Sequence, residues 1–302
     1  MRPWAGVVVV ASIGGLALAA CFDFGATMAG GPLEDGGASA RDAGSHDAGS
    51  SEDAHADGGS DAGSDGGATT FCASLPADAG VVLCDDFDEP NTLPGIYFPV
   101  QGDTWGTLTL TDASALSPPS SVDEKTMPLD DGGVIDLALR DDGIAVPALP
   151  ATMTFAFALS PVQIDPTPGA AIVLGAIDFL DGANNRYSVG LAINVASGLP
   201  ALALDEQSGF ADGGSSNVPH VVLAADAPNM NAWNDIVITI VWTAPTTATA
   251  SVTINGNAGL SSLALTMTVT AASLQVGIGT SYVTQPAPVW ELLYDNVWFG
   301  IR

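Results

Sequence analysis

Positive charge is scarce in this sequence. Its 302 residues include six Lys and Arg against 34 Asp and Glu, which gives a formal net charge of −28. Nucleic acids and anionic membrane surfaces are bound by clustered cations, so this shortage argues against both as partners. Residues 71–302 share the imbalance, with 24 acidic and four cationic side chains. Such a surface either attracts divalent cations or simply keeps the protein soluble and monomeric.

Helical signals are nearly absent too. No long stretch repeats its apolar residues with a helical period, so the crossover helices of a parallel α/β fold are missing. Short alternating runs recur instead, separated by Gly, Pro, Asn and Asp, and Asn255-Gly256 is typical of a tight hairpin turn. We therefore predict that residues 71–302 form an all-β, two-layer antiparallel sandwich of jelly-roll type. The predicted strands are 81–87, 105–111, 134–139, 152–159, 171–179, 186–195, 199–205, 218–224, 235–242, 248–254, 260–269, 274–279 and 290–301.

Cysteine is rare, and the first of three follows an apolar run. Residues 7–20 are apolar behind Arg2, and as a helix they would span about 21 Å of a membrane core of roughly 30 Å. This indicates a secretory signal. The end of the run, Leu-Ala-Ala before Cys21, resembles the bacterial lipobox. That resemblance implies cleavage after residue 20, lipidation of Cys21 and an anchor in the outer membrane or at the cell surface. The alternative is an ordinary signal peptide that leaves Cys21 as a free thiol.

The other two cysteines, Cys72 and Cys84, lie at the start of the predicted folded domain. We expect them to form a disulfide, because an exported compartment is oxidising, with two free thiols as the alternative. Residues 21–70 before them repeat Asp-Ala-Gly and Asp-Gly-Gly and contain almost no large apolar side chain. Such a segment cannot offset its ordering entropy, so we predict a disordered tether.

Several short motifs occur in an order that resembles the concanavalin A-like lectin/glucanase superfamily, which includes laminin-G-like domains. They are LCDDFD at 83–88, SPPSS at 117–121, WNDI at 233–236, VTING at 252–256 and YDNV at 294–297. With the lipobox and the tether, the whole chain resembles surface lipoproteins of myxobacteria-like organisms. The resemblance implies the same jelly-roll sandwich.

The chemistry of those relatives is not evident in this sequence. Their hydrolases use two carboxylates on one strand, in Glu-x-Asp-x-x-Glu or Glu-x-Asp-x-Glu patterns. None of the four glutamates after the tether begins such a pattern. Related lyases use clustered Arg, Gln, His and Tyr, and here Arg186 and Tyr187 alone sit together. We therefore predict no catalytic residues and no enzymatic activity.

Two binding sites remain as candidates. The resemblance implies a structural calcium near the first and last strands, held by Asp86, Asp88 and Asp295, although these acids could equally cap strand ends or face solvent. A sugar could lie on a concave face beside Asn184, Arg186 and Tyr187, whereas most tryptophans are expected in the core.

These observations favour a lipid-anchored, non-catalytic, lectin-like module that binds a glycan or a cell-surface partner. A structural or adhesive lipoprotein without a small ligand is the alternative. An unrecognised carbohydrate-active enzyme is the third and least favoured interpretation.

Overall fold

A computed structural model describes residues 70–88, 98–101, 106–126, 137–165, 171–183, 185–196, 199–209, 215–223, 228–280 and 289–302. The predicted signal peptide, Cys21 and nearly all of the predicted tether lie outside these residues, as does Asn184. Within the described ranges, no helix combines the length and apolar character needed to cross a membrane.

The described residues form one short helix and a series of strands that follow one another along the chain. The helix is α1 (Phe71–Ser74). The strands are β1 (Val81–Asp85), β2 (Phe98–Gln101), β3 (Gly106–Thr111), β4 (Ser121–Thr126), β5 (Leu137–Ala145), β6 (Ala151–Gln163), β7 (Ala171–Leu180), β8 (Arg186–Ala196), β9 (Leu199–Gly209), β10 (Ser215–Val222), β11 (Asn234–Ala244), β12 (Thr247–Ile254), β13 (Asn257–Ala264), β14 (Ser273–Thr280) and β15 (Glu291–Ile301).

Two antiparallel sheets pack face to face, which confirms the predicted sandwich. The eight-stranded sheet has the order β13-β12-β11-β6-β15-β4-β3, with β1 also pairing to β15. The seven-stranded sheet has the order β10-β9-β8-β7-β14-β5-β2. The first and last strands of the described domain, β1 and β15, are therefore hydrogen-bonded neighbours.

Alternating side chains build the core between the sheets. Along β11, Ile236, Ile238, Ile240 and Trp242 are all buried, and the residues between them are more exposed. Because successive side chains of a strand point to opposite faces, this alternation turns one apolar face toward the other sheet. Trp242 meets Phe179 of β7 edge to face, with ring centroids 5.3 Å apart. This contact marks the interior of the sandwich and identifies which face of each sheet is the inner one.

The predicted hairpin turn is also confirmed. Asn255 and Gly256 join β12 to β13 and have φ angles of 51° and 73°. A two-residue turn with both φ values positive matches the twist of its strands, and Gly and Asn tolerate it best.

The predicted disulfide joins Cys72 to Cys84. It ties α1 to the end of β1, and the Cys72 backbone N–H also donates to Asp86 Oδ2 at 3.4 Å. The start of the domain is thus held to β1, and through β1 to the last strand.

Candidate active site on the seven-stranded sheet

The outer face of the seven-stranded sheet, which points away from the eight-stranded sheet, carries a line of polar residues. Gln275 of β14 is paired with Asp178 of β7, Asp178 with Ser188 of β8, and Ser188 with Gln207 of β9. Directly paired residues of an antiparallel sheet place their side chains on the same face. We call these four residues the polar row. It crosses four adjacent strands in the middle of the sheet.

Asp178 is the centre of the polar row. Its Oδ1 accepts a hydrogen bond from the Ser188 hydroxyl at 2.6 Å, and its Oδ2 contacts the Arg186 guanidinium in an ion pair. Asp178 is 2% exposed, and so is Gln275 beside it. A buried carboxylate is tolerated when charge-assisted hydrogen bonds compensate its lost hydration, and this one has two such donors. The arrangement fixes the positions of Arg186 and Ser188 relative to each other.

The neighbouring row on the same face is made of very small residues. Gly277, Ala176 and Gly190 lie side by side across β14, β7 and β8, followed by Asp205 on β9. Because the first three side chains extend no further than Cβ, they leave a low strip beside Gln275, Asp178 and Ser188. The polar row is therefore flanked on one side by a row in which three of the four side chains are hydrogen or methyl.

Arg186 and Tyr187, which the sequence analysis grouped as ligand-binding residues, lie on opposite faces of β8. Arg186 is on the outer face with Asp178, whereas Tyr187 is fully buried between the sheets. The Tyr187 hydroxyl donates to Glu206 Oε2, which also accepts from the backbone N–H and the hydroxyl of Thr266 at 2.7 and 2.9 Å. Burial, and then the Glu206 carboxylate, raise the pKa of Tyr187, so this phenol stays neutral. The third residue of that group, Asn184, is outside the described residues.

The three residues of the calcium prediction do not share a ligand set in the structure. Asp295 is fully buried, and its two oxygens accept from the Leu116 and Ser117 N–H groups, the Ser117 hydroxyl and the Asn296 N–H at 2.7–3.0 Å. Burial raises the pKa of Asp295 despite these donors. Among the residues that the structure describes, no group of three or more His, Cys, Asp or Glu side chains could hold a metal ion. Calcium binding by Asp86, Asp88 and Asp295 stays a prediction.

The sequence analysis missed the polar row: it placed Asp178 in the predicted strand 171–179 and gave it no functional role. The turn after this strand begins three residues later, where Asp181 Oδ1 accepts from the backbone N–H groups of Ala183 and Asn185 at 2.8 and 2.9 Å. The available signal was a charged residue inside a run of strand-forming residues. In a strand with one buried face, such a residue marks the outer face. Its pairing with Ser188 and Gln275 depends on strand register, which the sequence does not show.

The sequence and the structure were compared with known families, proteins and solved structures. No protein-family model matches the sequence, and no curated protein matches it. Solved structures do match, and the three described next are 12–14% identical to this chain.

Three of these structures are polysaccharide lyases. An endo-β-1,4-glucuronan lyase from the fungus Trichoderma reesei is 14% identical, with a TM-score of 0.54, over 73% of this chain and 95% of its own. The alginate lyase vAL-1 from Chlorella virus is 12% identical, with a TM-score of 0.44, over 66% and 94% of the two chains. A PL-14 alginate lyase from Aplysia kurodai is 12% identical, with a TM-score of 0.43, over 64% and 86%. Of the three, the glucuronan lyase is the one whose TM-score indicates a shared fold.

These similarities overturn two predictions made from the sequence. The chain was expected to be a non-catalytic lectin-like module and not an enzyme, whereas the solved structure that shares its fold is that of an enzyme, the glucuronan lyase. The sequence analysis looked only for residues that lie close together along the chain. Gln275 and Asp178 are far apart along the chain but adjacent in the sheet. Of the three interpretations, the one placed third, an unrecognised carbohydrate-active enzyme, is the one that agrees with the fold shared with the glucuronan lyase.

Proposed function

We propose that this protein is a polysaccharide lyase that cleaves a uronic-acid-containing glycan on the outer face of the seven-stranded sheet. The observation that carries the proposal is the cluster of Arg186, Asp178 and Ser188 beside Gln275, on a fold shared with a glucuronan lyase. The cluster combines a cation, a carboxylate and neutral hydrogen-bonding groups. It lies beside a strip of small residues that could admit a glycan chain.

A lyase breaks the bond between a uronate and the preceding sugar by β-elimination. A base removes the proton at C5, the C4–O4 bond breaks, a C4=C5 double bond forms and O4 leaves with a proton. Negative charge develops on the uronate carboxylate during this step, so a fixed positive charge and amide donors beside it lower the barrier. Arg186 and Gln275 would supply these groups. Asp178 is the member of the cluster that can accept a proton.

The first test is to incubate the full chain with a panel of polyuronates that includes glucuronan and alginate. We expect ultraviolet absorbance to increase with at least one of them, because the C4=C5 double bond is conjugated with the carboxylate. Neutral glucans are the matched control and should yield neither absorbance nor new reducing ends. New reducing ends without absorbance would indicate hydrolysis and contradict the proposed reaction.

The second test removes the positive charge of the site. Arg186→Ala should lower kcat/KM by about 100-fold, the usual cost of losing one group that stabilises developing charge. Lys125→Ala is the matched control, because it removes another cation from the eight-stranded sheet. Lys125 is half-exposed and pairs with Glu291 at 2.6 Å, an interaction that contributes little to stability. Equal activity of the two variants would contradict the role given to Arg186.

We also propose that the enzyme is held at the cell surface by a lipid on Cys21, with residues 22–70 as a flexible spacer. The support is the lipobox and the composition of that segment. Cys21→Ser should move the protein from the membrane fraction into the soluble exported fraction. A variant that remains in the membrane fraction would contradict lipid anchoring at this residue.

A further inference from the structure

The candidate site is unusual for one that receives a polyanion, because it offers no net positive charge. The single cation that the structure places in the cluster, Arg186, is already in contact with the Asp178 carboxylate. Asp205 adds a second carboxylate in the next row of the same face, paired with Gly190. Arg140 of β5, paired with Gly277 at the other end of that row, adds a second cation, so the described charged residues of these two rows balance and the site has no net charge to attract a polyanion.

The surrounding domain, by contrast, has a large excess of negative charge. Residues 71–302 carry 24 acidic and four cationic side chains, and the tether before them is acidic as well. A polyuronate carries about one negative charge per sugar, so its approach is opposed by the field of the whole protein. Dissolved salt screens that field, with a Debye length of about 30 Å at 0.01 M and about 3 Å at 1 M ionic strength.

We infer that the enzyme is activated by salt: cleavage of a polyuronate accelerates as ionic strength rises, because screening allows the acidic protein to bind an acidic polymer. The inference rests on the proposed function and concerns regulation of the same site. Screening acts on the encounter between protein and polymer, so the effect lies in KM and kcat/KM, while kcat changes little. Any monovalent salt should act alike at equal ionic strength, since no specific ion site is involved.

The test measures kcat and KM of the full chain on a polyuronate that it cleaves, between about 0.01 M and about 0.5 M NaCl, with KCl as a second salt. We expect kcat/KM to rise about tenfold or more across this range. A short oligouronate, which carries fewer charges, should show a smaller rise. A kcat/KM that is flat or falls with salt would overturn the inference. No product at any salt concentration would instead overturn the proposed function, and the inference with it.

Two variants with the same change in charge locate the effect. Asp205→Asn removes a carboxylate from the outer face of the seven-stranded sheet, so it should raise kcat/KM at low salt several-fold and flatten the salt dependence. Asp235→Asn, at the exposed start of β11 in the other sheet, is the matched control and should retain the wild-type dependence. Because both variants change net charge by the same amount, identical behaviour would show that local charge at the site does not matter. Circular dichroism confirms that each variant is folded.

Discussion

At the residue scale, two consecutive residues of β8, Arg186 and Tyr187, lie on opposite faces of the sheet and have different roles. Arg186 contacts Asp178 on the outer face, and Tyr187 is bonded to Glu206 in the interior. Tyr187→Phe removes a donor to a buried carboxylate that keeps its Thr266 donors, so we expect a loss of about 1–2 kcal/mol in the free energy of unfolding and a nearly unchanged kcat. Arg186→Ala should lower kcat strongly, and because it leaves the buried Asp178 carboxylate without its ion pair it should also lower the free energy of unfolding by about 3 kcal/mol. Urea unfolding and steady-state kinetics on both variants check this division, and a Tyr187→Phe variant that is stable but inactive would contradict it.

Asp295, one of the residues of the calcium prediction, is a buried carboxylate that accepts several hydrogen bonds. Its oxygens accept from both the 116–117 segment and its own neighbour Asn296. Asp295→Asn places an amide N–H against these donors, and we expect the free energy of unfolding to fall by about 2–3 kcal/mol. Ser117→Ala removes one hydroxyl donor and should cost about 1 kcal/mol. Equal stability of wild type and Asp295→Asn in urea would contradict this account.

At the element scale, the sequence predicted the strands with a clear apolar alternation and missed β2 and β4. β6, β8 and β11 were predicted within a few residues, because one face of each is continuously apolar. β4 was missed, since its sequence SVDEKT contains charges. Even so, Glu124 in this strand is fully buried. Here packing against β3 and β15 overrides the local pattern.

The end of β13 shows the opposite error. Alternation from 260 to 269 predicted one long strand, but β13 ends at Ala264. Beyond it Leu265, Met267 and Val269 remain buried, and Thr266 bonds to Glu206 of the other sheet. The alternation is real, yet it reflects a segment that crosses between the sheets. Sequence periodicity indicates which side chains are buried. It does not indicate whether the backbone pairs with another strand, or with which one.

The disulfide leads to a prediction about how strongly α1 is held against β1. Cys72 and Cys84 are 12 residues apart, and the bond between them holds α1 against β1. Replacing both with Ser should lower the free energy of unfolding by about 3 kcal/mol, the contribution of closing a loop of this size. Thermal unfolding of the double variant beside oxidised wild type measures this effect. A difference well below 1 kcal/mol would mean that the pairing of β1 with β15 alone secures this end of the domain.

At the scale of the whole molecule, the excess of acidic groups predicts that the free energy of unfolding rises when the pH falls from neutral to mildly acidic. Burial raises the pKa of Asp295 and, together with Glu291, that of Asp123 above the usual 3.8. The folded state therefore binds protons at a higher pH than the unfolded state does, so stability rises as pH falls from neutral through these raised pKa values. It levels off below the unfolded pKa. Protonation also relieves repulsion among the excess acids. Urea midpoints at about pH 7 and pH 5 test the sign, and a lower midpoint at pH 5 would contradict it.

The class of fold was predictable from the sequence, whereas the candidate site was not. The sandwich could be predicted because alternation, turn residues and the lack of helical periodicity are all visible in short stretches of sequence. The polar row is assembled by the register of four strands, and Gln275 comes from a part of the chain nearly 100 residues from Asp178. Arg186 could be selected as a candidate from its sequence position, but its partners could not.

The most direct measurement of the central claim is the mass of the products formed when the full chain acts on a polyuronate. Elimination adds no water to the cleaved bond, so each new non-reducing end should be lighter by one water than the same end after hydrolysis, and should carry the C4=C5 double bond. We expect these unsaturated ends with wild type and with Lys125→Ala, and their loss with Arg186→Ala. Hydrated ends, or no cleavage of any polyuronate by a folded sample, would contradict the assignment of a lyase site to the polar row.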